Sequence, residues 1–308
     1  MTQLLRGELH CHNLFSNYQN SSVRLPFDCG IRIEDQLNAA LLNHIDVLFV
    51  TNHNTLDGYR QLLEYKNSHA KFDGIKVYPA EEVTINTQGH VLAYGLHSRI
   101  KPGMALEETL DEIRKQDAIS CAAHPFAVTN GIREKASLCD MMESFNSNNV
   151  DRFSNVMAER FAKEHSMHCI AGSDSHVIST IGNCVNLIES ENNLDSILAE
   201  MRRGKVEMSR KVYASNEEIF EHAFYIISSS RELLLDYALR HHPRAYTAAK
   251  WALGSFTSNP NSRLWRSLAS LLLFLAKRAS EKVNVKGYDP QIFSERPWKK
   301  LIALSLIP

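Results

Sequence analysis

No two of the six cysteines, Cys11, Cys29, Cys121, Cys139, Cys169 and Cys184, form a Cys-X-X-Cys pair. That excludes the usual paired-thiolate metal clamp and dithiol redox motif, and reduced thiols in a cytoplasmic protein are the expectation. Long apolar runs are also missing. The most apolar stretch, Leu268 to Ala276, falls far short of the roughly 20 residues a spanning helix needs, so no membrane span is expected. The opening MTQLLRGELH lacks the basic-then-apolar run of a secretory leader. Neither an internal repeat nor a low-complexity tract is present, which excludes a solenoid. Net charge is close to zero at −1 and gives no whole-chain mark of nucleic-acid binding. The sum conceals a division: from Ser215 onward 13 Lys and Arg face 8 Asp and Glu, a surplus of +5, so residues 1–214 carry −6.

What is present is ordinary for a folded protein, 44% hydrophobic and 22% charged residues, and 308 residues suffice for one large α/β domain plus an appendage. From Leu4 to about Tyr213, short β-branched apolar runs alternate with amphipathic segments of helical length, the pattern of strand–helix units. Strands are predicted at 5–10, 46–51, 75–79 with 82–85, 90–95, 118–123, 140–145, 168–172 and 184–189, and helices at 33–44, 56–68, 106–116, 153–164 and 193–203. That number favours a closed β/α barrel over residues 1–213. Residues 214–308 read as an all-helical C-terminal region, with helices at 217–239, 244–253 and 263–282. The apolar face Leu264, Leu268, Leu271, Leu272 and Leu275 is expected to pack against the barrel or another helix.

The chemistry gathers at strand ends. His10-Cys11-His12 closes the first strand, and the two-residue period puts both imidazoles on one face and Cys11 on the other. In DVLFVTNHNTLDG, His53 lies just past the second apolar run, at the end where β/α folds collect functional side chains. VYPAEEVTINTQGHVLAYG supplies Glu81 and Glu82, of which alternation turns only one inward and leaves the other as a solvated surface group, and then His90. CAAHPF ends a strand in His124, and IAGSDSH places Asp174 and His176 two apart beyond another. Five strand ends finishing in His, Asp or Glu need a common partner, because cores seldom bury unpaired acids and imidazoles. A shared metal site provides one. A mixed imidazole and carboxylate set suits Zn²⁺, Mn²⁺ or Fe²⁺ better than Mg²⁺ or Ca²⁺.

In their order, HxH, TNH, a Glu after a Pro-containing strand, HVLAYG, AHP and GSDSH, these motifs resemble the PHP (polymerase and histidinol phosphatase) domain family of metal-dependent phosphoesterases over about residues 4–213. The resemblance implies a distorted barrel of about seven strands with two or three divalent ions at the strands' C-terminal ends. Carried over position by position, it makes His10, His12, Glu82 and Asp174 ligands of one metal, with Glu82 shared by a second that His90 and His124 complete. Glu82 is chosen over Glu81 because the family's pattern, Pro, small residue, any residue, Glu, falls on Pro79 to Glu82. A third metal would use His53 and His176. At one place the chain departs: many members carry Asp or His shortly after HxH, as in an FSD motif, whereas here stand Phe15-Ser16-Asn17, and a neutral amide is a poor ligand.

The implied reaction is hydrolysis of a small phosphomonoester or nucleotide by a metal-activated water, with His53 or His176, where free of metal, protonating the leaving oxygen. Arg24, Lys66, His97 and Arg133, in loops flanking the motifs, are weak candidates for holding substrate phosphate. A rival reading is a metal-dependent nuclease in which Trp265, Arg266, Lys277, Arg278, Lys299 and Lys300 of the basic C-terminal helices align DNA or RNA. A third is a non-catalytic, metal-stabilised scaffold whose helical tail recruits a partner.

Overall fold

The computed structural model describes residues 2–19, 25–87 and 89–294. Its strands are β1 (Gln3–Cys11), β2 (Val47–Val50), β3 (Lys76–Thr84), β4 (His90–Tyr94), β5 (Ile119–Ala122), β6 (Met141–Asn146), β7 (His168–Gly172), β8 (Cys184–Ser190) and β9 (Glu207–Lys211). Between them run α1 (Ile33–Leu42), α2 (Asp57–Asn67), α3 (Leu106–Lys115), α4 (Phe153–Glu164) and α5 (Leu194–Arg202). The strands make one sheet in the order β7-β6-β5-β4-β3-β2-β1-β8-β9.

The sheet is mixed. β1, β2 and β3 are mutually parallel, as are β5, β6 and β7, but β4 is antiparallel to both neighbours and β8 is antiparallel to β1. β4 reverses because only five residues separate Thr84 from His90, enough for a hairpin and too few for a crossover helix. The predicted pieces 75–79 and 82–85 are a single nine-residue strand, β3, which Pro79 does not interrupt. β9 is not foreseen from hydropathy, since Glu-Met-Ser-Arg-Lys lies mostly exposed at the sheet edge.

The sheet curls until β7 returns to β1, giving a nearly closed, distorted barrel. Past the end of β7, Asp174 N donates to His10 O at 2.8 Å and His12 N to Ser175 O at 3.1 Å. Lower down, the Asn186 amide of β8 replaces a strand pairing: its Oδ1 accepts from Ala171 N at 2.9 Å and its Nδ2 donates to Ala171 O at 2.8 Å. The interior is filled by Leu5, Phe49, Leu92, Ile119, Met141 and Ile170, and Ile197, Leu198 and Met201 of α5 join them at the far end from the histidines. Gly95, with φ at 87°, lets Leu198 approach: a Cβ there would come within 2.5 Å of its Cδ1.

Beyond β9 the described chain is helical: α6 (Asn216–Ser229), α7 (Arg231–His241), α8 (Tyr246–Ser258), α9 (Arg263–Asn284) and α10 (Gln291–Ser294). The Ser215-Asn-Glu-Glu218 capping box starts α6, Ser215 Oγ accepting from Glu218 N and Glu218 Oε2 from Ser215 N. The single helix predicted over 217–239 breaks at Ser230, after Ser228 has turned its hydroxyl back onto the Phe224 and Tyr225 carbonyls. The expected packing of the α9 leucines is met only in part: Leu275 is half-buried and Leu268 and Leu272 face an apolar groove toward α6 and α8, but Leu264, Leu268, Leu271 and Leu272 stay 41–57% exposed, and only the last turns of α9, with Ser280, Val283 and Asn284, bury against the barrel. Among the described residues no helix is long and apolar enough to cross a membrane, and all six cysteines are free thiols.

Candidate metal centre

At the last residues of β1 the strand period sets His10 and His12 side by side, their Nε2 atoms 3.2 Å apart, while Cys11 packs behind the sheet with Leu48 and Val50. Glu82 is the hub. Its Oε2 lies 3.4 Å from His10 Nε2, 3.2 Å from His12 Nε2 and 3.2 Å from His53 Nδ1, and its Oε1 lies 2.7 Å from His90 Nδ1 and 3.1 Å from His124 Nε2. Asp174, in the left-handed backbone region at φ 50°, turns Oδ1 to within 3.4 Å of His10 Nε2 and 3.3 Å of His12 Nε2. Burial opposes charge on both carboxylates, but the surrounding imidazoles, His90 first for Glu82 and His10 first for Asp174, outweigh it and hold them well below the usual range.

Three sets of donor atoms each fall within 4.8 Å of one another: His10, His12, Glu82 and Asp174; His53, Glu82 and His90; and His12, Asp28, His53 and His176. The first unites the four residues assigned to one metal by resemblance. The second pairs Glu82 with His90 as expected but contains His53, and His124 stands beside it through Glu82 Oε1. The donors fit divalent cations. Asp28 Oδ2, His53 Nδ1 and His90 Nδ1 are buried within 2.7–3.2 Å of an oppositely disposed group yet in no aligned hydrogen bond among the described residues, an arrangement that a cation between the atoms would satisfy better.

A carboxylate behind the histidines sets their orientation. Glu143 of β6 lies 2.7 Å from His10 Nδ1 through Oε1 and accepts from His124 N at 2.7 Å through Oε2, which leaves His10 Nε2 facing the cluster. Gly172 makes room for it: a Cβ there would stand 1.6 Å from Glu143 Oε1 and 3.0 Å from the His10 Cβ. Glu8, also buried, accepts from Gly182 N, and burial raises its carboxyl to about 7. Neither acid is singled out in the sequence, because each sits within an apolar strand without a motif. Glu81 corrects the expectation of a solvated group. It is fully buried on the opposite face of β3 from Glu82, accepts from Ile100 N at 3.0 Å, and is pushed up to about 7 by that burial.

Asp28 also escapes sequence reading, since no motif marks it. Its Oδ2 lies 3.2 Å from His176 Nε2 and 3.8 Å from His53 Nε2, so a carboxylate stands in the third set although position 17 is an amide. Asn17 builds the loop instead, its Oδ1 accepting from Asp28 N and Cys29 N. The weaker substrate candidates fall apart. His97 is exposed in the turn after β4, at the far end of the barrel, because β4 runs antiparallel and carries the chain away from His90. Arg133 lies over the Phe126 ring at 5.2 Å and donates to Asn284 Oδ1, a packing role between barrel and α9. Lys66 is buried in the last turn of α2, and Arg24 lies outside the described residues. On the helices, Arg266 pairs with Glu217 and lies over Phe220, and Arg278 pairs with Glu281, while Lys299 and Lys300 lie outside the described residues.

Residues 152–206 match the family described as PHP-associated. An uncharacterized protein of Methanocaldococcus jannaschii is 26% identical over 158 residues, covering 50% of this chain and 89% of that protein. A second from the same organism is 30% identical over 115 residues, 34% of this chain and 48% of its own length. Among solved structures, PsfC from Pseudomonas syringae matches with a TM-score of 0.51 at 17% identity, covering 74% of this chain and 99% of PsfC. The lesion-specific endonuclease PfuEndoQ from Pyrococcus furiosus matches with a TM-score of 0.50 at 16% identity, covering 67% of this chain and 58% of the endonuclease. At such identities the two structures share a fold with this chain. The segment matched by the family description lies within that barrel, over α4, β7, β8 and α5.

Proposed function

We propose that the chain is a phosphoesterase of the PHP type, which hydrolyses a phosphate ester of a small molecule or nucleotide with divalent ions held at the histidine-lined end of the barrel. The observation that carries this reading is Glu82, a single buried carboxylate with imidazoles gathered on each of its two oxygens, the donor arrangement that two neighbouring cations share. His10, His12, Glu82 and Asp174 would hold one ion, Glu82, His90 and His124 a second with His53 at hand, and Asp28, His53 and His176 a third. Zn²⁺, Mn²⁺ and Fe²⁺ suit these donors. Such ions supply Lewis acidity that activates water and offsets charge on phosphoryl oxygens.

The chain's own groups do the rest. Glu143 orients the His10 ring, and the Asp174 carbonyl fixes His176 by accepting from Nδ1 at 2.8 Å, so its Nε2 faces Asp28. Burial works against charge on His176, but Asp28, followed by Asp174, outweighs it and lifts the pKa to about 9. His53, dominated by burial, falls to about 4. Where the third position holds no ion, His176 is the one of the two equipped to give a proton to the leaving oxygen; with an ion there, both rings are its ligands.

Elemental analysis of the purified protein, paired with hydrolysis of an aryl phosphate and of a short oligonucleotide after Mn²⁺ or Zn²⁺ loading, tests the proposal. Two or three metals per chain with chelator-sensitive phosphate release are expected, abolished in His10→Ala and Asp174→Asn. Full turnover by metal-replete Asp174→Asn, or no metal and no turnover in the native protein, would overturn it. Faster, salt-sensitive cleavage of the oligonucleotide would favour a nuclease. The fold likeness to an endonuclease supports that second reading, and the pairing of Arg266 with Glu217 and Arg278 with Glu281 weighs against it.

A further inference from the structure

We propose that α6 belongs to the metal centre, with His222 and Tyr225 as positioning residues that hold Asp28 in the third cation position; this rests on the metal-dependent reading above. Most donors of that centre are fixed by strand ends or by backbone bonds to them. Asp28 is not. It sits in a stretch without helix or strand, 25–32, and strand register cannot place it. Two clasps do so. From one side the Asn17 side chain accepts from Asp28 N at 2.6 Å and Cys29 N at 3.0 Å and donates to Cys29 O at 3.0 Å. From the other, His222 Nε2 donates to Asp28 O at 2.7 Å and its ring stacks on His176, centroids 4.5 Å apart.

Tyr225, three residues along the same helix face, joins the clasps by accepting from Asn17 Nδ2 at 3.0 Å. Its ring lies where a Cβ on Gly30 would come within 2.9 Å, so the loop is pressed directly against α6. His222 and Tyr225 thus reach both the Asp28 backbone and the amide that presents it, and neither touches the Glu82 hub. Through α6 the C-terminal region is thus coupled to the third cation position.

The test is stepwise Mn²⁺ titration of the metal-stripped full chain, with bound metal counted by elemental analysis. Three ions are expected in the native protein and two in Asp28→Asn. In His222→Phe, which keeps a stacking ring but loses the donor, and in the milder Tyr225→Phe, the third dissociation constant should rise about 10- to 100-fold, the other two staying put. His222→Gln, which restores an N–H donor, should recover most of the loss, and His222→Phe should add nothing in the Asp28→Asn background. A third constant within twofold of native in both His222→Phe and Tyr225→Phe overturns the inference. So does a native protein binding two ions only, which leaves the phosphoesterase reading intact; a native protein binding none overturns both.

Discussion

Within β3, Glu82 keeps its negative charge among five imidazoles, whereas Glu81, one residue earlier, faces apolar surroundings with the Ile100 amide and the more distant Arg99. Burial raises the Glu81 carboxyl from 4.5 to about 7. With the folded pKa above the unfolded one, the folded chain binds more protons between the two, so stability declines as pH rises from about 4.5 to about 7. Glu81→Gln should therefore be more stable than the native chain at pH 8, by about 3 kcal/mol, and show no advantage near pH 4. Denaturant unfolding at both pH values checks this, and equal effects at the two would refute it. His176 makes a separate kinetic prediction. If it protonates the leaving oxygen, His176→Gln should slow an alkyl phosphate by about 10²- to 10⁴-fold and an activated aryl phosphate far less, because the aryl oxygen leaves without help. A uniform loss for both, with one metal fewer, would make His176 a ligand alone.

Elements place these residues by rules of differing reach. The strand period puts His10 and His12 together, and the same alternation divides Glu81 from Glu82; both are legible from sequence. Burial of the outward glutamate is not, because it depends on the segment around Ile100 covering that face. The hairpin after β3 reverses β4, so His90 opens its strand at the site while His97 ends up remote. Closure of the barrel likewise depends on one side chain: Asn186 of β8 satisfies both the N–H and the C=O of Ala171. Asn186→Leu, similar in size, should leave two buried backbone groups unpaired and cost about 2–4 kcal/mol of unfolding free energy. A loss under about 0.5 kcal/mol would mean that water or relaxation replaces the amide.

Across the whole molecule, the described C-terminal helices meet the barrel at two anchors, α6 over the Asp28 loop and the end of α9, where Asn284 donates to Phe126 O. Between them α9 presents exposed leucines, a face that 3.6-residue periodicity reveals but whose covering it cannot decide. The histidine and carboxylate cluster is the other global feature. Its side chains come from β1, the Asp28 loop, β3, β4 and the segments after β2, β5 and β7, so bound cations would tie together nearly the full circumference. Loading the stripped protein with Mn²⁺ or Zn²⁺ should raise its melting temperature by several degrees, each ion adding about 3 kcal/mol at a hundredfold excess over its dissociation constant. Calorimetry with and without chelator measures it, and an unchanged transition would argue that the cluster binds no metal.

Sequence alone determined the strand–helix alternation, the donors at strand ends and the change to helices after Tyr213, because each depends on periodicity and residue chemistry within a few positions. Tertiary structure decided the mixed strand directions, the burial of Glu81 and Glu143, and the arrival of Asp28 beside His53 and His176. Those outcomes rest on contacts between remote segments, such as the bond that joins His222 to Asp28 across 194 residues. No local pattern encodes such a contact, since it exists only once the barrel has closed and α6 has packed against it.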